Sequence, residues 1–275
     1  MNEIDKLLLN FLNEDIGSDD ITSNILPDKI VRAFIICNED AIIAGVEESI
    51  RLFSILKCNA IPLVHDGNLV SKGSKIIEIE GNAKNILSVE RTALNILMRM
   101  SGIATLTKRY IDEVKGKVMI AGTRKTVPGF RYFDKKAIKV ANGYTHRYRL
   151  DEMILIKDNH LAILGSVKKA LLLAKEKYGD RYDIEVEVRS LEDAIDAINY
   201  GADIIMLDNL EPAQVYNIVE ELKRKNLRDK VKIEVSGGIK LSNIKDYAKS
   251  DIDIISIGSL THSVKAIDMN LEISL

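Results

Sequence analysis

The chain has 275 residues, 46% of them hydrophobic, and its 39 Lys plus Arg against 41 Asp plus Glu give a formal net charge of −2. That length and apolar content can fill a complete core, which excludes a disordered chain. The near-neutral balance excludes the extended basic face on which duplex nucleic-acid recognition rests, and Cys37 and Cys58, without CxxC spacing, exclude a disulfide framework or a structural zinc site and read as small buried apolar residues.

The opening stretch MNEIDKLLLNFLNEDIG carries acids inside its apolar run and lacks a basic leader, so it reads as an amphipathic helix and not as a signal peptide. No uninterrupted apolar run approaches the roughly 18 residues that cross a bilayer. No membrane or nucleic-acid partner is therefore expected, and the cytoplasm is the expected compartment. After a turn-rich EDIGSDDITSN, the stretch KIVRAFIICNEDAIIAG reads as two strands joined in a hairpin at Asn38 to Asp40. EESIRLFSILKC has helical spacing, and LVHDGNLVSKGSKIIEIEG gives short strands punctuated by Asp66-Gly67 and Lys72-Gly73. That cadence suits a biotinyl or lipoyl carrier, but no Met-Lys-Met hairpin supplies the lysine. NAKNILSVERTALNILMRMSGIATLTKRYIDEVKG reads as one or two long helices with Leu87, Leu94, Leu97 and Met98 on one stripe.

From residue 117 the pattern becomes strand then helix, repeated. Strands are expected at KVMIAG, MILIK, DIEVEV, ADIIML, KIEVSG and DIISIG, with helices at FRYFDKKAIKVA, SVKKALLLAKEKYG, SLEDAIDAINYG, EPAQVYNIVEELKRKN and LSNIKDYAKS. Gly179 and Gly201 close two of these helices, where a left-handed cap is expected. No GxGxxG opens the first unit, so the expected fold is α/β: a small α/β N-terminal domain plus an incomplete parallel α/β barrel. Residues 1–112 form the first, sandwich-like and ending in a long connecting helix, and residues 113–275 the second, with the C-terminal tail free to return to the N-terminal domain.

In such a barrel chemistry gathers where the strands end. Arg124, Lys125, His146, Arg147 and Lys157 stand there, and between 124 and 157 ten Lys, Arg or His residues face three acids. Such local charge in a neutral chain favours a compact anionic ligand. Lys135, Lys136 and Lys139 read instead as a solvated helix face. Glu187 and Asp208, on successive strand ends, could hold Mg²⁺ together with substrate phosphates. Glu185 shares a face with Glu187, and burial there demands a cationic partner or metal. Gly237, Gly238 and Gly258, at the last two strand ends, suit a phosphomonoester.

In order along the chain, EDIGSDDITS, ERTALNILMRMSGIAT, TRKTVPG, HR, LIKDNH, EVEV, MLDN, SGGI and IGSLTHS resemble the quinolinate phosphoribosyltransferase family from about Glu14 to Asp268. The resemblance implies that quinolinate and phosphoribosyl pyrophosphate (PRPP) give nicotinate mononucleotide, carbon dioxide and pyrophosphate, with Mg²⁺. It implies that Arg124, Lys125, His146, Arg147 and Lys157 line the site for the dicarboxylate and pyrophosphate. Glu187 and Asp208 would face ribose and metal, and Ser236, Gly237, Gly238 and Gly258 the phosphate. Lys125, Lys157, Glu187 and Asp208 form the catalytic set, and Arg91 reaches a neighbour's site in a homodimer or larger homo-oligomer. Gly122 and the run Asn142, Gly143, Tyr144, Thr145 depart from the family's usual residues near the dicarboxylate. The alternatives are therefore a phosphoribosyltransferase for nicotinate or another pyridine-like acid without decarboxylation, and a non-catalytic ligand-binding paralogue.

Overall fold

The computed structural model describes residues 3–274. Its first half runs α1 (Glu3–Ile16), β1 (Ile30–Cys37), β2 (Ala41–Ile42), α2 (Val46–Ile55), β3 (Asn59–Pro62), β4 (Leu69–Val70), β5 (Ser74–Asn82) and α3 (Ala83–Val114). The chain continues with β6 (Met119–Ala121), α4 (Arg131–Val140), β7 (Ile154–Ile156), α5 (Asp158–Leu164), α6 (Val167–Tyr178), β8 (Ile184–Val188) and α7 (Leu191–Asn199). It ends with β9 (Ile204–Asp208), α8 (Pro212–Arg224), β10 (Lys232–Ser236), α9 (Ile244–Tyr247), β11 (Ile254–Ser256), α10 (Ser259–His262) and β12 (Met269–Ser274). Two compact units result, and they are not contiguous in sequence. The first takes the chain up to Lys108, Tyr132–Asn142 and everything from Ser263; the second takes Arg109–Arg131 and Gly143–His262. No helix among the described residues is long and apolar enough to cross a membrane.

The first unit is built on an antiparallel sheet in the order β12-β1-β5-β3. Along β1 every second residue, Val31, Ala33, Ile35 and Cys37, is buried, while Arg32 between them pairs with Glu78 across the strand. This is the period of two that a half-buried strand requires. The hairpin expected at Asn38 to Asp40 does not form: β1 pairs with β5 and β12, and β2 pairs with β4 as a separate ribbon. The reason lies at the far end of the chain. The free edge of β1 is taken by β12, and the Asn38 N–H donates to the Asp268 carbonyl at 2.9 Å. The tail packs so closely that a Cβ on Gly102 of α3 would stand 2.3 Å from the Lys265 carbonyl oxygen.

Membership of α4 in this unit overturns the solvated lysine face. Lys135 is buried, and Lys136 Nζ lies 2.7 Å from Glu47 and 2.6 Å from Glu48; only Lys139 is exposed. Asp134, fully buried, accepts hydrogen bonds from Arg99 Nε and Nη2 at 2.8 and 2.9 Å. Lys136 of α4 thus faces the acids of α2, and Asp134 faces Arg99 of α3, in place of open water.

The second unit holds a six-stranded parallel sheet in the order β6-β11-β10-β9-β8-β7. The first strand lies beside the last, and β6 and β7, consecutive in sequence, are the two unpaired ends. This is the strand order of an incomplete barrel. Tyr144 adds one parallel bridge to Ala121 at the β6 end. Register brings Asp208, Ser236, Ser256 and Ala121 level, so residues at the C-terminal strand ends form one row. Gly179 and Gly201 both have positive φ, 58° and 84°, but Gly179 pairs it with ψ −137°, an extended conformation open to glycine and distinct from the left-handed cap expected there. Two helices differ from expectation: LSNIKDYAKS is helical only over Ile244–Tyr247, and Asp158–Leu164 forms α5. The latter is started by His160, whose Nδ1 accepts the Lys157 N–H at 2.9 Å.

Candidate active site

Above the row of strand ends the second unit encloses a cavity of about 480 Å³, within the range of small-ligand sites. Arg124 and Lys125 reach it from the end of β6, Arg147 from the segment before β7, Lys157 from the end of β7 and Arg189 from the end of β8. Glu187 and Asp208 face it from adjacent strands, and Ser236, the last residue of β10, and Gly237 after it border it. Gly237 has φ 87°, and a Cβ there would meet the Asn209 side chain at 2.1 Å, so this turn accepts only glycine.

His146 also lines the cavity, whereas the remaining expected residues are placed differently. Gly238 and Gly258 do not border the cavity. Gly258 instead supports it: a Cβ there would touch Lys125 Cδ at 3.1 Å, and the Thr261 hydroxyl donates to the Lys125 carbonyl at 2.8 Å. The glycines are not followed by long helices, since α9 and α10 are four residues each. Arg91 stands exposed on α3 in the first unit.

Electrostatics divides the cavity into two walls. On the cationic wall, burial and the like charge of Arg124 push Arg147 below the usual guanidinium range, and Arg124 Nε is buried without a hydrogen-bond partner. On the acidic wall, burial and then the charge of Glu187 push the Asp208 carboxyl up. Lys157 Nζ bridges the walls, 2.5 Å from Glu187 Oε1. Asp208, whose cost of ionisation is raised by the neighbouring Glu187 charge, suits together with Glu187 a divalent cation that both can ligate.

Below them, inside the barrel, His146 Nε2 lies 3.2 Å from one oxygen each of Glu185 and Glu234. Both glutamates are fully buried, and none of their four carboxyl oxygens has an aligned hydrogen bond. Burial alone would lower the imidazole, but the two carboxyl groups outweigh it and push His146 up to about 9. Meanwhile the Arg147 N–H donates to His146 Nδ1 at 2.8 Å, so the ring proton sits on Nε2. Burial also pushes Glu185 up, so the imidazole and its carboxyl partner share the further proton and titrate together. These three side chains have metal-ligand proximity. A proton on Nε2 nevertheless leaves that nitrogen no lone pair for a metal. With Nδ1 accepting the Arg147 N–H, His146 holds Arg147 in place from a left-handed backbone, φ 55°, that non-glycine residues seldom adopt.

Residues 20–101 match the N-terminal domain of quinolinate phosphoribosyl transferase and residues 103–272 its C-terminal domain. The chain belongs to the quinolinate phosphoribosyltransferase family. A Methanocaldococcus jannaschii protein named "Probable nicotinate-nucleotide pyrophosphorylase", carboxylating, is 44% identical over 276 residues, spanning 98% of this chain and 96% of its own. One of the same name from Archaeoglobus fulgidus is 42% identical over 257 residues, spanning 92% and 98%. Among solved structures, the nicotinate-nucleotide pyrophosphorylase from Francisella tularensis superposes with a TM-score of 0.90 at 35% identity, covering 98% of this chain and 96% of that one.

Two charged cavity residues of this family member, Glu234 and Arg189, escaped the sequence reading. Glu234 carries its signal in the strand KIEVSG, where it alternates with Ser236 toward the interior as Glu185 does with Glu187. Arg189 follows β8 directly, one more cation at a strand end, hidden because the acidic EVEV before it drew the eye to metal binding.

Proposed function

We propose that the cavity binds quinolinate and PRPP together and catalyses phosphoribosyl transfer with decarboxylation, giving nicotinate mononucleotide, carbon dioxide and pyrophosphate for NAD biosynthesis. The observation that carries this reading is the single cavity with Arg124, Lys125, Arg147 and Lys157 on one side and Glu187 and Asp208 on the other, in a chain of this family.

Arg124 and Arg147 hold the two ring carboxylates, a task for forked and permanently charged groups. The pyridine nitrogen then attacks the anomeric carbon as the bond to pyrophosphate breaks. Positive charge on the ribose ring in that state is favoured by Glu187 and Asp208. Lys125 and Lys157 take the charge of the departing pyrophosphate, while Ser236 and Gly237, with Gly238 and Gly258 behind them, receive the phosphate of the ribose. Glu187 and Asp208 would hold Mg²⁺, which when bound neutralises pyrophosphate charge. After transfer the ring nitrogen is cationic. Cleavage of the neighbouring carbon–carboxylate bond releases carbon dioxide, and the electron pair left on that carbon is stabilised by the nitrogen and takes up a proton.

Arg91, exposed on α3, is assigned to the cavity of a second copy, so the working unit is a homodimer or larger homo-oligomer, placed in the cytoplasm. Incubation with PRPP, Mg²⁺ and either pyridine acid tests the reaction. One carbon dioxide per pyrophosphate is expected with quinolinate. Turnover of nicotinate without carbon dioxide would replace this reading by the monocarboxylate one, and binding without pyrophosphate release by a non-catalytic one. Mixing Arg91→Ala with Arg147→Ala subunits should restore part of the activity lost in each alone. No rescue after confirmed subunit exchange would remove the shared site.

A further inference from the structure

Each of the two carboxylates on the acidic wall is already engaged by a side-chain cation. Lys157 takes Glu187, and Arg189 Nη2 lies 3.3 Å from Asp158 Oδ2 and 3.9 Å from Asp208 Oδ2. The same Asp208 oxygen accepts a hydrogen bond from Asn209 Nδ2 at 2.7 Å. Asp208 is only 17% exposed, whereas Arg189 is 61% exposed and Asp158 53%. The carboxylate is thus fixed by its surroundings and the guanidinium is held loosely by two acids, neither contact being a forked pair. Ion pairs this exposed contribute little and exchange partners readily. A guanidinium gains more from phosphate oxygens, which its fork matches, than from a single distant carboxylate oxygen.

We propose that Arg189 is a binding residue for the pyrophosphate group of PRPP and that it reaches that role by changing partners: it neutralises Asp158 and Asp208 in the free protein and turns to the phosphate oxygens when a divalent cation takes Asp208. This inference rests on the reading of Glu187 and Asp208 as the carboxylates that meet the cation. It adds a pocket residue and an order of dependence. The cation alone must displace Arg189 to bind, so it binds against a competitor. Cation and pyrophosphate arriving together release the arginine into a better contact, so each strengthens the other's binding, a reciprocal coupling.

The partner exchange gives opposite signs for two ligands, which a merely structural arginine would not. In Arg189→Gln, free Mn²⁺ measured by electron paramagnetic resonance should bind several-fold more tightly, because its competitor is gone. PRPP measured by equilibrium dialysis with Mg²⁺ and no pyridine acid should bind about tenfold more weakly, the loss of one charge-assisted contact. Quinolinate affinity should be unchanged, and Arg189→Lys should recover part of the PRPP loss. With 61% of its side chain exposed, Arg189 is dispensable for folding, and equal melting temperatures verify it. Unchanged PRPP affinity in Arg189→Gln would overturn the proposal, as would a parallel weakening of Mn²⁺ and PRPP. Asp208→Asn separates this from the reading beneath it: if that variant keeps wild-type Mn²⁺ affinity, the cation site itself is misplaced, and the proposal falls with it.

Discussion

In the first unit, Asp134 is fully buried and both its oxygens are taken by Arg99, while buried Glu48 offers one oxygen to Lys136 and Tyr132. In the second, Glu185 and Glu234 are equally buried, yet four carboxyl oxygens lack an aligned donor and Arg124 Nε has no partner beside an open cavity. Burying charge costs free energy in both places. The first unit offsets most of that cost within the protein, with Glu48 Oε2 the one carboxylate oxygen left buried and unpartnered among these groups, and it does not line the cavity; the second leaves much more of its charge under-paired, where a ligand can complete it. Incomplete pairing marks a site where it gathers around a cavity.

The largest effect that sharpens this contrast is a framework one. Asp134→Ala removes both carboxylate acceptors that Asp134 gives Arg99 and should cost about 3–5 kcal/mol, which lowers the melting temperature by on the order of 10 °C in a chain of this size. The kcat/KM of the protein that remains folded should not change. Lys157→Ala should do the reverse: activity down by about 10²–10³-fold, or roughly 2.7–4 kcal/mol of transition-state stabilisation, with a melting temperature close to wild type. If Asp134→Ala inactivates folded protein, or Lys157→Ala unfolds it, the division between the two regions is broken.

Strand and helix alternation made the parallel sheet readable, because each buried strand is a short apolar run with chemistry at its end. Arg124, Lys125, Arg147, Lys157, Glu187 and Asp208 were legible for the same reason, and the cavity gathers all six. What could not be read locally was long-range partnership. The hairpin failed because both edges of β1 are taken by other strands, β5 on one side and, over 200 residues away, β12 on the other, as Phe34 beside Glu78 and Glu272 illustrates. The lysines of α4 were misread because helix periodicity shows which face is polar but not that another helix covers it. His146 was legible as a site residue, but its partners Glu185 and Glu234 stand on different strands, so its role as a support for Arg147 emerges only in three dimensions.

That support predicts an intermediate effect. Glu234→Gln keeps the shape but removes a carboxyl group from His146 Nε2, at an expected cost of about 1–2 kcal/mol. Because His146 carries the Arg147 backbone, the KM for quinolinate should rise more than that for PRPP. Equal changes in both would mean that the cluster steadies the barrel without directing the arginine.

The smallest effect is a slope. The cluster retains a proton up to a pH of about 9, where an ordinary imidazole would release it near 6.5. The folded state thus binds this proton more tightly than the unfolded state, and the stability it contributes is complete below pH 6.5 and lost as pH rises through 9. Melting temperatures of wild type should therefore fall across that window beyond any fall seen in His146→Asn, whose curve should be flatter. The paired charges of the first unit give no such difference, since Asp134→Asn should lower stability by a similar amount at both ends of the window. Parallel curves for wild type and His146→Asn would mean that the His146 cluster holds no extra proton, and the buried carboxyl groups of the barrel would then need a cation other than a proton to account for them.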